Sequence, residues 1–82
     1  MIHHLKCDED PFRAIWNGDK KAEFRLNDRD YQVNDELVLQ LGKEDISPRP
    51  WMRCRVTHIQ TGYGIPDNYV MMSIIVTDRG LK

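Results

Sequence analysis

Lys21-Ala22-Glu23-Phe24-Arg25-Leu26 sets Ala22, Phe24 and Leu26 in strict alternation against Lys21, Glu23 and Arg25. A period of two is that of a strand, because successive side chains of an extended chain point to opposite faces. Immediately upstream the period is different: Phe12, Ile15 and Trp16 recur at i, i+3 and i+4, which puts them on one helical face. Asp8-Glu9-Asp10-Pro11 supplies a cap, acidic groups suited to the positive helix N-terminus and a proline compatible with the first turn. Gly18 is a helix stop. The two periods meet at Asn17 to Lys20, so the chain is predicted to leave the helix there and to begin regular strand at about Lys21. On this reading Ala22, Phe24 and Leu26 face the core, and Lys21, Glu23 and Arg25 form a charged face.

Working outward, residues 4–7 read as a first strand and Asn27-Asp28-Arg29-Asp30 as a turn. Asn34-Asp35 introduces residues 36–41, where Leu37, Leu39 and Leu41 share a face. Residues 42–50 form a polar loop containing prolines and lead to residues 53–59, where Arg53, Arg55 and Thr57 oppose Cys54, Val56 and His58. Residues 61–68 are loop, and residues 69–77 are the last and most apolar strand. Five strands and one early helix predict an α+β, mostly β fold, a small, partly closed barrel that limits exposed sheet edges. With 82 residues, one domain spanning 1–82 is expected.

Composition narrows the class further. With 40% hydrophobic and 30% charged residues, disordered and membrane classes are disfavoured, and the apolar stretch around Met72 is far short of the ~20 residues a spanning helix needs. No basic and then apolar leader is seen at Met1-Ile2-His3-His4, so a cytoplasmic location is expected. Cys7 and Cys54 are read as buried free thiols, since a reducing compartment disfavours a disulfide. His3, His4 and Cys7 match no standard zinc spacing, so neither metal nor cofactor is expected. Net charge is -1, so any anion-binding site must be local.

A resemblance rests on specific residues. His3-His4-Leu5-Lys6, Gly18 with Lys20 and Arg25, and Glu23-Phe24-Arg25-Leu26-Asn27-Asp28-Arg29 resemble the small bacterial and phage ASCH-like branch of the PUA-like superfamily. Gly64-Ile65-Pro66-Asp67-Asn68-Tyr69 is similar to its final loop and strand. Asn34 stands where that pattern has glycine, and Asn tolerates the left-handed conformation such a turn requires. The resemblance implies a PUA-like barrel with a cleft beside the first helix that binds RNA or a nucleotide. Some ASCH proteins hydrolyse the acyl group of N4-acetylcytidine with a Lys, a Thr three residues later and a Glu on a later strand. Here Lys20 matches the Lys, Glu23 replaces the Thr, and no Glu follows Glu44.

Lys20, Glu23, Arg25, Asn27 and Arg29 are accordingly the expected ligand-binding lining, with His3 and Lys6 nearby. Arg25 and a lysine would hold an anion while Glu23 orients them or accepts an N–H from a base edge. The plainer alternative is a solvated strand face with weak ion pairs. Lys20 falls on the apolar parity, so either it precedes the strand or a bulge re-aims it. Strand parity pairs His4 with Lys6, whereas the family pattern favours His3. Trp16 fits the core, and Trp51 in a polar loop is the base-stacking candidate. Arg53 and Arg55 either extend the positive strip or are solvated, and Met71 and Met72 are expected in the core.

Three functions follow as expectations. The first is a binding module for RNA or a modified nucleotide. The alternative is an amidohydrolase of acylated nucleosides using Lys20 and Glu23, and the third is a phage accessory protein that binds a host protein.

Overall fold

The computed structural model describes residues 1–43 and 45–81. The elements are β1 (Ile2–Cys7), α1 (Glu9–Trp16), β2 (Ala22–Leu26), β3 (Glu36–Leu41), β4 (Pro50–Gln60) and β5 (Tyr69–Leu81). The strands form one sheet in the order β1-β3-β4-β5-β2, curled into a half-barrel with one short helix. The β1–β3 pair is parallel and every other pair is antiparallel. Glu44, the last glutamate in the sequence, lies outside the described residues.

The curl comes from β4 and β5, which run beyond the predicted 53–59 and 69–77. Their ladder pairs Arg53 with Asp78 but Cys54 with Val76, and Val56 with Ile74 but His58 with Ser73. Each slip leaves one residue unopposed and bends the ribbon, as β-bulges do. The second slip, at Thr57, also resets the parity of β4. His58 is exposed, not grouped with Cys54 and Val56 as alternation predicts, and Ile59 packs against the core instead. Trp51 lies within β4, not in a loop. A Cβ on Gly80 would sit 2.9 Å from the indole ring, so the ring lies close over the glycine backbone.

β1 alternates cleanly, with His3, Leu5 and Cys7 buried and His4 and Lys6 exposed. From β3, Leu37, Leu39 and Leu41 join Leu5, Met52, Val56 and Met72 in the core, and α1 contributes Phe12 and Ile15. Met71, on the opposite face of β5 from Met72, is exposed, so only one of the two methionines is a core residue.

The helix ends where the sequence predicts. Gly18 takes φ +84°, its N–H donates to the Ile15 carbonyl at 3.1 Å, and the Asp19 N–H donates to the Ala14 carbonyl at 2.9 Å. These two bonds satisfy helix-end carbonyls in the Schellman pattern and turn the chain toward β2. Asn34 has φ 77°, as the left-handed turn before β3 requires.

β2 reverses the predicted faces. Its register pairs Glu23 with Met72 and Arg25 with Val70, and both partners are buried. Cross-strand partners share a sheet face, so Glu23 and Arg25 point inward with them. Phe24 and Leu26 face outward, 44% and 46% exposed, and Phe24 stacks on Tyr69 at 5.2 Å between centroids.

Candidate functional site

The inward turn of β2 brings a charged pair to the open seam of the half-barrel. Glu23 is 3% exposed. Arg25 Nε donates to its Oε2 at 2.7 Å, and the Cys7 thiol lies 3.8 Å from Oε1. β1 and β2 are the two ends of the sheet, and Arg25 joins them: its Nη2 donates to the Lys6 carbonyl at 2.9 Å and approaches Cys7 Sγ at 3.5 Å. Among the described residues, no acceptor is bonded to Arg25 Nη1.

A cleft of about 330 Å³ opens over this pair, where β1 passes into the N-terminal end of α1. Lys6, Lys20, Glu23 and Arg25 line it, together with Cys7 and Asp8. The volume falls within the range of small-ligand pockets, about 300–1,000 Å³. Lys20 precedes β2, in the turn that follows Gly18, which resolves its parity: the strand has not begun. Its N–H donates to the Ala14 carbonyl, so the Schellman turn itself aims this lysine.

Electrostatics favour a charged guanidinium and a neutral thiol. Burial opposes ionisation of Arg25, but the hydrogen bond and charge of Glu23 outweigh it and leave its pKa above the ordinary value. Burial first, and then the Glu23 charge, push Cys7 up to about 11, so it is a weak donor and not a thiolate nucleophile at neutral pH. Burial likewise raises Cys54 to about 12, and both cysteines are free.

His3, Asn27 and Arg29 lie away from this cleft. His3 is buried on the core face of β1, with Nε2 2.8 Å from Asp35 Oδ2 and its ring edge-on to Tyr31 at 4.8 Å. Asn27 accepts the Tyr31 N–H at 3.0 Å through Oδ1, bracing the turn after β2, and it lines a separate hollow beside the loop of residues 61–68. Arg29 is exposed on that turn. Arg53 and Arg55 also lie elsewhere, beside Glu36 and Asn34 respectively. Cys7, Asp8 and Pro11 line the cleft without having been expected there. The signal was the β1–α1 junction, which the sequence presents only as a strand end and a helix cap.

The His3–Asp35 pair braces the start of β3. Burial pulls the Asp35 pKa upward, but hydrogen bonds from His3, the Gln32 N–H and the terminal amine outweigh it and hold the carboxyl below its ordinary value. A depressed folded-state pKa contributes stability that is present above the unfolded value of ~3.9 and is lost as pH falls through the folded value. Asp35→Asn is therefore expected to cost about 1–3 kcal/mol at pH 7, with the difference from wild type shrinking toward pH 2. Urea melts from pH 7 to pH 2 measure this, and a difference independent of pH would contradict the assignment.

A short helix plugging a curled five-stranded half-barrel, with a polar cleft at the seam between its edge strands, defines the class of domain. Residues 2–74 match the family described as Domain of unknown function (DUF3850), and the chain belongs to that family. It is 28% identical over 75 residues to the "Uncharacterized 12.9 kDa protein in GpA 3'region" of Escherichia phage P2, covering 92% of this chain and 69% of that protein. No helix among the described residues is long and apolar enough to cross a membrane.

Proposed function

We propose that this domain is a PUA-like, ASCH-type binding module that takes RNA or a modified nucleotide in the cleft between β1, α1 and β2. The observation that carries the reading is the pair of buried Glu23 and part-buried Arg25 lining the cleft. Nε and Nη2 of Arg25 are engaged by the protein, which fixes the guanidinium plane and leaves Nη1 as a pre-oriented donor for a carbonyl or phosphate oxygen. Lys6 and Lys20 add positive charge at the cleft wall. Glu23 acts as a positioning group. Its Oε2 is held by the guanidinium and its Oε1 faces the Cys7 thiol, so both oxygens are engaged in fixing the cleft floor.

The alternative, hydrolysis of an acylated nucleoside, draws on the same cleft because Lys20 and Glu23 both line it. A third reading, docking of a host protein, draws on the outward Phe24 and Leu26.

The binding reading is tested by NMR titration with cytidine, N4-acetylcytidine and the four nucleoside monophosphates. Saturable shifts are expected at Lys6, Cys7, Lys20, Glu23 and Arg25, with no product formed. Shifts confined to other regions, or none at millimolar ligand, would refute it.

A further inference from the structure

Lys20 lines a second cavity as well. This one, of about 300 Å³, lies between the C-terminal end of α1 and β5. Ile15, Ile74, Ile75 and Val76 supply its apolar lining, and Lys20, Lys21 and Arg79 its cations. Among the described residues, no carboxylate lines it. Arg79 is held in place: its Nη1 donates to the Trp16 carbonyl at 2.7 Å, and its Cζ lies 4.8 Å from the Trp16 ring centroid. The same lysine thus lines both cavities.

Charge is unevenly shared between these cavities and the remaining surface. The chain has 12 Lys and Arg against 13 Asp and Glu. Among the described residues, the cations Lys6, Lys20, Lys21, Arg25 and Arg79 line the two cavities, together with the carboxylates Asp8 and Glu23. A protein with no net positive charge therefore carries a local basic track, and the second half of that track is apolar at its base. Cationic rims beside apolar or stacking surfaces are what a single-stranded nucleic acid requires, since phosphates meet the charges while base faces leave water.

We propose that the two cavities form one path for single-stranded RNA. One nucleotide occupies the Glu23–Arg25 cleft, the linking phosphate lies at Lys20, and the next base rests on the isoleucine wall between Lys21 and Arg79. This rests on the binding reading of the cleft and extends it from a mononucleotide to a strand.

The test measures binding of each nucleoside monophosphate and of a mixed-sequence eight-nucleotide RNA to wild type and to Lys21→Ala/Arg79→Ala, at several salt concentrations. The octamer is expected to bind at least about tenfold tighter than the best monophosphate. The double variant should lose about tenfold for the octamer, with its salt slope reduced by about 1.4, as expected for two phosphate contacts on a single strand. Its monophosphate affinity should stay unchanged. Lys21→Ala alone, an exposed change outside the ordered strand, provides a second reading should the Arg79 substitution disturb packing on Trp16. Monophosphate binding without any gain for the octamer, or an octamer indifferent to both variants, overturns the path and leaves the cleft reading intact. Failure of both ligands to bind overturns the cleft reading and the path together.

Discussion

Arg25→Ala is expected to lower the stability of the domain by about 2–4 kcal/mol and to abolish ligand binding. Removing one partner of a buried ion pair costs about 3–5 kcal/mol, because the remaining charge is left uncompensated, and the 25% exposure of the Arg25 side chain lets water relieve part of that. Glu23 is the group left behind, with the guanidinium contact to its Oε2 gone. The Lys6 carbonyl loses the Arg25 donor too, and with it one of the hydrogen bonds that tie β1 to β2 across the seam. Arg25→Lys keeps the charge but cannot reach both acceptors with one planar group, so it should fall between wild type and alanine. Glu23→Met/Arg25→Leu discriminates further. Replacing a whole buried pair by apolar residues of similar volume is often neutral, so this double variant should recover most of the stability while binding no nucleotide. Urea unfolding and ligand titration of the four proteins check this. A loss below about 1 kcal/mol for Arg25→Ala would mean that the pair behaves as a surface salt bridge.

The fold was legible in the sequence where hydrophobic period and turn chemistry agree. The helix stop at Gly18, the leucine face of β3 and the left-handed Asn34 all follow from local rules. The two faces of β2 did not, because alternation reveals that a strand has two faces but not which one is covered. Glu23 and Arg25 point inward because β5, with Val70 and Met72 buried, dictates the register, a constraint about fifty residues away in the chain. His58 was misplaced for a related reason: the bulge at Thr57 is a property of the β4–β5 pairing and carries no mark in residues 53–59. Of the residues singled out in the sequence, Lys6, Lys20, Glu23 and Arg25 come together at the cleft, whereas His3 lies in the core, Asn27 braces the turn after β2 and Arg29 is exposed on that turn. Adjacency in a motif is not adjacency in space. Cys7 and Asp8 were missed because their place at the cleft depends on β1 and α1 meeting opposite β2.

Glu23→Gln is the change that separates binding from hydrolysis. The substitution preserves shape and an amide oxygen for Arg25 Nε, so the fold should persist, but it removes the negative charge that holds the guanidinium. If Glu23 positions Arg25 for a ligand, affinity should fall by about 10–100-fold, equivalent to about 1–3 kcal/mol, through weakened charge-assisted hydrogen bonding. No turnover of N4-acetylcytidine should be seen in either protein. A hydrolase would respond the other way: its rate would fall by about two to four orders of magnitude with ligand binding retained, because a carboxylate acting on water would be gone. The geometry favours the first outcome, since Oε2 is bonded to Arg25 and Oε1 faces the Cys7 thiol, neither being free in the manner of a general base. Measuring affinity and turnover for wild type and Glu23→Gln, with thermal melts to confirm folding, decides between them. Retained affinity together with a lost rate would remove the binding-module reading and establish the cleft as catalytic.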